Sequence, residues 1–309
     1  MRVAVTGARG RLGGALMHAL AEAAFTGPGG PIGWSRPDFD LDVPGLAIPL
    51  LRRDRPDVVV HAAAWTDVDG CARDPATAMH RNAEATGVLA AACAAARVDL
   101  VVISTNEVFD GHRADGQGYR PDDPTAPINP YGASKLEGEE RARRAFSDGS
   151  RGAPQLAIVR TAWLFGPPGD DFPAKIVSAA IRASAAGEAL RLVSDEIGSP
   201  SYAPDVADAI VELLAAGAVH GVHHVVNAGI ASRADWAREV LRIVGLDVAI
   251  DDVPAATWER ASSPPRWAVL EPTPLPSGEP LRSWPATLAD EAGRLRRAAR
   301  GASAAGRPA

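Results

Sequence analysis

Short, continuously apolar runs alternate along the first half of the chain with longer stretches whose apolar residues recur at helical spacing. "RVAVTG" precedes a helical pattern at 11–24, "PIGWS" a short one near 45–54, "DVVVHAAA" one at 75–96, and "LVVIST" one at 130–146, before "LAIVRTAW". Runs that are apolar at every position must be buried on both faces, which predicts parallel strands between two helix layers. The expected fold class is therefore α/β, a Rossmann-type doubly wound parallel sheet. After residue 161 the texture changes to glycine and proline loops, with helices near 172–186, 204–216 and 232–244, a strand-like "VHHVVNA", and a proline-rich stretch at 252–287. These predict a smaller, irregular C-terminal substrate-binding lobe whose strands partly return to the main sheet. The expected division is 1–161 with 202–228 as the Rossmann domain, 162–201 with 229–300 as the lobe, and 301–309 ("GASAAGRPA") as a disordered tail.

The first strand runs directly into "VTGARGRLGGAL", with Gly7, Gly10 and Gly13 at three-residue intervals where a helix opens. A strand, a glycine turn and a helix form a dinucleotide cradle: glycines let the backbone approach a pyrophosphate, and the helix N-terminus stabilises its charge. Arg9, Arg11 and Leu12 lie in the same turn. At the end of the second strand an acidic residue would bind the adenosine 2′-hydroxyl of NAD, but "GWSRPDFDLD" offers Ser35 and Arg36 instead. Arg36 with Arg9 suits a 2′-phosphate, which predicts NADPH, with NADH as the alternative. Asp40 and Asp42 are expected nearer the adenine.

The chain has 30 arginines and two lysines, and one of the lysines, Lys135, stands four residues after Tyr131 in "NPYGASKLEGEE". Pro130 suits the first turn of a helix, on which Tyr131 and Lys135 share a face. An ammonium beside a phenol favours phenolate and is expected to lower its pKa. Tyr131 can then protonate the oxygen left by hydride transfer to a carbonyl, with Lys135 holding a ribose. Ser104 and Thr105, at the carboxyl end of "LVVIST", are expected to supply a further donor to that oxygen.

Composition narrows the partners. At 309 residues, 46% hydrophobic, 23% charged and net charge −6, the chain reads as an enzyme-sized protein with no bias toward nucleic acid or anionic membranes. The N-terminus meets glycine too early for a signal-peptide core, so the cytoplasm is the expected compartment. Cys71 and Cys93 are too few and too far apart for a metal knuckle or redox pair and are expected as free thiols. "HGVHH" reads as entry into a strand rather than a metal site, and no metal is expected.

On the blocks "VTGARGRLG", "HAAAWTDVDGCARDP", "RNAEATGVLAAAC", "ISTNEVFDG", "PTAPINPYGASKLEGE", "VRTAWLFGP" and "VSDEIGSPSYAPDVA", the chain resembles the dTDP-4-dehydrorhamnose reductase family of the extended short-chain dehydrogenase/reductase superfamily. The resemblance implies a catalytic triad of Thr105, Tyr131 and Lys135. It implies that Ala62, Ala63 and Ala64 line the dinucleotide, with Ser104 on that side and Asn82 there helping to order the site. Thr66, Val68, Asn106, Glu107, Trp163, Phe172, Asp195, Gly198 and Pro200 would meet a sugar nucleotide. The implied activity is NADPH-dependent reduction of a 4-keto-6-deoxyhexose nucleotide, with an NAD-dependent epimerase or a non-catalytic regulatory subunit as alternatives. Departures from the family pattern are Asn106 and Glu107 where S-T-D-Y-V-F is usual, Glu196 and Ser201 within D-Q-x-G-x-P-T, and Asp171-Phe172 in place of "NF". Some members are magnesium-linked dimers through glutamates, but Ala15 stands in the first helix here, so a monomer or weak homodimer is expected. Two residues beyond Thr105, Glu107 should point to the same side as Thr105 if the strand alternation persists.

Overall fold

A computed structural model of the chain describes residues 1–305, with side chains through residue 300. Among the described residues, six strands form one parallel sheet: β1 (Val3–Thr6), β2 (Ile32–Trp34), β3 (Val58–His61), β4 (Asp99–Thr105), β5 (Leu156–Thr161) and β6 (Gly221–His224). Their order across the sheet is β6-β5-β4-β3-β1-β2. The chain reverses direction across the sheet between β1 and β3, and a crevice opens there at the strands' carboxyl ends, where sheets of this kind take ligands. All four residues of β1 and of β3 are buried, as continuous apolar runs require. One face packs Leu12, Leu16 and Leu20 of helix Arg11–Glu22 with Val206, Ile210 and Leu214 of helix Ala203–Ala215. The other packs Trp34, Leu50, Leu89 and Leu100. Cys71 and Cys93 are free and buried.

A second core lies in the C-terminal half, where Ile176 and Val177 of helix Phe172–Ala186, Trp236 and Val240 of helix Arg233–Val244, and Trp284, Leu288 and Leu295 of helix Trp284–Ala305 meet. That last helix starts inside the stretch read as loop and continues into the segment assigned to a disordered tail at 301–309, of which 306–309 lie outside the described residues. The "VHHVVNA" run does return to the main sheet, with β6 pairing β5 from Gly221–Ala157 to His224–Arg160. No helix of the described residues is long and apolar enough to cross a membrane.

Candidate active site

The glycine turn is built so tightly that side chains are excluded from it. A Cβ at Gly13 would sit 2.1 Å from the Gly7 carbonyl oxygen, and one at Gly7, whose φ is +66°, would sit 2.9 Å from the Ala63 backbone. Helix Arg11–Glu22 has no side-chain cap, so its first amides are free to meet an anion. A cleft of about 500 Å³ opens in front of it, lined by Gly7, Arg9, Gly10, Ser35, Arg36, Asp40, Asp42 and Ala62–Ala64. Phe39, Leu41, Trp65 and Arg81 also line it and were not singled out from the sequence. The cradle thus fits a dinucleotide by its shape and by its uncapped amides.

Several expected cleft residues are engaged elsewhere. Arg11 turns away and donates to the Asp170 carbonyl at 3.0 Å while lying 3.6 Å from Asp171, which caps the helix beginning at Phe172 and has a fully buried side chain. Leu12 is buried in the core, so both residues can meet a ligand only through their backbone amides. Asp42 is held by Arg81 at 2.6 and 2.8 Å and Asp40 accepts from the Asp42 amide, so each is a partner of its own loop first. Arg9 and Arg36 form no ion pair among the described residues and are exposed on the cleft wall.

A buried relay ties this cleft to the Tyr131 helix. The Ala63 amide donates to Thr6 Oγ1 at 3.1 Å, and Thr6 Oγ1 lies 2.8 Å from His61 Nδ1. His61 Nε2 lies 3.1 Å from Thr86 Oγ1, which donates to the Asn82 carbonyl at 2.7 Å. Since Thr86 spends its proton on Asn82, His61 donates from Nε2 and accepts at Nδ1. Burial, with Lys135 nearby, pushes the His61 pKa down to about 3, which keeps the ring neutral in this role. Asn82 accepts from the Trp65 amide and donates to the Trp65 carbonyl and to Ser134 Oγ, at 2.8, 3.0 and 3.0 Å. Asn82, implied to help order the site on the dinucleotide's side, is a buried positioning residue for Trp65 and the helix.

Helix Pro130–Ala145 begins at Asn129, whose Oδ1 accepts from the Gly132 amide at 2.8 Å. It packs so closely that a Cβ on Gly132 would lie 2.0 Å from the Glu107 carbonyl oxygen. Tyr131 is buried with Cys71, Ala78, Trp65 and Val68 around it. The expected pKa drop does not occur. Burial first, and Glu107 second, raise the phenol above its ordinary value, with only the Thr105 hydroxyl acting the other way. The Lys135 ammonium is spent on the Ile103 carbonyl at 2.7 Å, and burial lowers its own pKa to about 8. Ser104 is no co-donor either: its hydroxyl goes to Glu139 at 2.5 Å, because alternation along β4 sends it away from Thr105. Besides facing the Tyr131 phenol, the Thr105 hydroxyl donates to Asn106 Oδ1 and accepts from the Glu107 amide, both at 3.2 Å. Such lengths leave its hydroxyl free to re-aim.

Across the seam stands the C-terminal lobe. Trp163 holds φ +43°, a left-handed conformation that costs a tryptophan about 1–3 kcal/mol. Packing fixes it there: its ring stacks on Trp236 at 5.9 Å, Arg233 lies 3.5 Å from its centroid, and Gly198 leaves no room for a Cβ, which would sit 2.5 Å from the indole. Phe172 stacks on Trp236 at 4.5 Å. Glu196 is buried, ion-paired to Arg260 and 4.0 Å from Arg233. Burial lowers the Arg233 pKa to about 10.

The segment 254–266 straps the lobes together. Asp195 accepts from the Ala255 amide at 2.6 Å, Asp69 from the Ser262 amide at 2.9 Å, and the Ser263 carbonyl from Asn129 at 3.3 Å. Asp195 is therefore an anchor of the strap, and Asn106, which donates to the Ala268 carbonyl at 3.1 Å, anchors its exit. Pro200 is buried, Thr66 is exposed, and Val68 packs near Tyr131. Arg233, Arg260 and Trp236 gave no sequence signal. Their roles depend on which residues face one another across the seam.

Comparison with known proteins agrees on one family. A family model described as "RmlD substrate binding domain" matches residues 1–296. A dTDP-4-dehydrorhamnose reductase of Mycobacterium tuberculosis is 36% identical over 301 residues, covering 93% of this chain and 91% of the relative. The crystal structure of a dTDP-4-dehydrorhamnose reductase from Clostridium acetobutylicum superposes with a TM-score of 0.84 at 29% identity, covering 96% of this chain and all of that one. That of a Bacillus anthracis dTDP-4-dehydrorhamnose reductase in complex with NADP gives 0.80 at 28% identity, covering 95% and 98%.

Proposed function

The chain belongs to the dTDP-4-dehydrorhamnose reductase family of the extended short-chain dehydrogenase/reductase superfamily, and from that membership we propose that it reduces the 4-keto group of a nucleotide-linked 6-deoxyhexose with NADPH, converting dTDP-4-dehydro-L-rhamnose to dTDP-L-rhamnose. The observation that carries this reading is the buried Tyr131, its phenol beside the Thr105 hydroxyl, packed on Trp65 of the dinucleotide cleft and facing Glu107, which in turn feels the lobe's Arg233 and Arg260. The glycine turn and the uncapped start of helix Arg11–Glu22 would hold a nicotinamide dinucleotide, which when bound would supply the hydride. Tyr131, whose raised pKa keeps it protonated at neutral pH, donates the proton that the developing alkoxide requires. Thr105 turns its hydroxyl to the same oxygen, and Lys135 supplies positive charge beside it. The reading is tested by NADPH oxidation against a panel of 4-keto sugar nucleotides carrying dTDP, UDP or GDP; no turnover with any member would remove it.

Two expectations follow. Arg36 and Arg9 are the exposed cations beside Ser35 on the cleft wall, suited to a 2′-phosphate. Arg36→Ala should then weaken NADPH by about 1–3 kcal/mol and leave NADH nearly unchanged, as titration of each cofactor would show. Equal loss for both would end the assignment. The second concerns pH. With the Lys135 pKa lowered to about 8, the ammonium is present below that value and lost above it. The kcat/KM for reduction should therefore fall as pH rises through about 8, and a profile flat to pH 10 would show that Lys135's charge is not needed.

A further inference from the structure

No step of the reduction proposed above falls to Glu107, although it is bonded at one end to Thr105 and at the other to the cap of the Tyr131 helix. Its amide donates to Thr105 Oγ1 at 3.2 Å, and its carboxylate accepts from Asn129 Nδ2 at 2.6 Å, two residues before Tyr131. The short turn Asn106–Val108, rather than strand alternation, swings the side chain into the seam. There it lies within the electrostatic reach of Tyr131 and Cys71 on one side and of Arg233, Arg260 and Glu196 on the other. Only Oε2 is hydrogen-bonded; Oε1 has no hydrogen-bond partner among the described residues. Burial, the largest influence, raises the carboxyl's pKa above the ordinary value, against the pull of Asn129 and the two arginines.

A ketone makes the C–H bonds on its neighbouring carbons acidic, and a partly desolvated carboxylate is a stronger base than one in water. Here such a base stands beside the acid that serves the ketone oxygen. We propose that Glu107 is a second catalytic group of this site, a base that removes and returns the proton on a carbon next to the substrate's keto group, so that the protein exchanges that hydrogen with solvent without any reductant. The step balances. Glu107 takes the proton as the C–H pair becomes the C=C bond of an enol, and the carbonyl π pair takes a proton from Tyr131. On reversal the enol O–H proton goes back to the Tyr131 phenolate, and the carbon takes a proton from the Glu107 carboxyl, which has meanwhile exchanged with water. Nothing is oxidised or reduced. Asn129 holds one carboxylate oxygen so that the free one can face the carbon.

The proposal rests on the ketone substrate named above, and the test separates the two. A nucleotide-linked 4-keto-6-deoxyhexose is incubated with the full-length protein and NADP⁺ in D₂O, and the gain of one mass unit per exchanged position is followed against an enzyme-free control. The same substrate is assayed in parallel for reduction by NADPH. The wild type should exchange well above control. Glu107→Gln, which keeps the size and can still accept from Asn129, should lower the exchange rate by ~10²-fold or more, at least about tenfold beyond any loss in kcat/KM for reduction. Tyr131→Phe should lower both, because one phenol serves the oxygen in each reaction. Glu107→Asp, which withdraws the carboxylate by one methylene, should retain intermediate exchange and controls for folding. Reduction without exchange by the wild type, or undiminished exchange in Glu107→Gln, overturns the proposal. Exchange without reduction leaves it standing and sinks the reductase reading, and neither reaction sinks both.

Discussion

Replacing Tyr131 with phenylalanine is expected to lower kcat for ketone reduction by about 10²–10⁴, the range for loss of a positioned proton donor, while leaving cofactor affinity near normal. The ring fills a pocket of Cys71, Ala78, Trp65 and Val68, and phenylalanine keeps that packing. No hydrogen bond that shapes the fold is removed: the helix start depends on Asn129 capping Gly132, and Ser134 bonds the Tyr131 carbonyl rather than its hydroxyl. The loss should therefore fall on the chemical step. Single-turnover reduction under saturating NADPH, with cofactor titration beside it, measures both. A kcat within tenfold of wild type would show that water or Thr105 supplies the proton. Lys135→Ala should differ in kind, since it also frees the Ile103 carbonyl and removes the charge that faces the site.

The parallel sheet was legible because its central strands carry nearly continuous apolar runs, Val58–Val60 and Leu100–Ile103 among them, a pattern that burial on both faces explains. The glycine turn was legible for a similar reason: backbone contacts as short as those at Gly13 and Gly7 leave glycine as the residue that fits. The last helix was not. Its buried apolar anchors, Trp284, Leu288 and Leu295, are widely spaced among alanine and arginine, and proline-rich loop precedes it. Its start is fixed by packing against helices 172–186 and 233–244, which local sequence does not encode.

Within the site, spacing revealed which side chains share a helix face but not how their charges are spent. Tyr131 and Lys135 lie one turn apart, yet the ammonium goes to a strand carbonyl and the phenol's pKa rises by desolvation, which depends on neighbours from four other segments. Ser104 and Thr105 are adjacent and chemically alike, and only the position of Glu139 shows that one is structural. Glu107 faces the seam as alternation suggested, but through a turn. Its arginine counterparts, Arg233 and Arg260, come from segments more than 120 residues away in the chain.

The carboxylate that claims Ser104 carries the largest stability effect expected for a single change. Glu139, on helix Pro130–Ala145, has a fully buried side chain and accepts from Ser104 Oγ at 2.5 Å, Arg160 Nε at 3.0 Å, Arg160 Nη2 at 2.8 Å and Arg143 Nη2 at 3.1 Å. Burial alone would raise its pKa, but Arg160, then Ser104 and Arg143, outweigh that and hold it below the ordinary value. Arg160 is only 2% exposed, so Glu139→Ala would strand a buried guanidinium and should cost about 3–5 kcal/mol in urea unfolding. Adding Arg160→Met removes the stranded charge and should restore much of the loss. A single-mutant loss under 1 kcal/mol would show that the pair does not hold the helix to β4 and β5. The sign with pH follows from the lowered pKa. The stabilisation is complete above the unfolded glutamate value of about 4.3 and disappears as pH falls through the lower folded value. The pair also reaches the chemistry, because Glu139 supports the charge of Lys135 one turn earlier against its burial. In the double variant, folded but without that carboxylate, the alkaline fall in kcat/KM should begin at lower pH than in wild type. An unmoved limb would show that Lys135's pKa is set by burial alone.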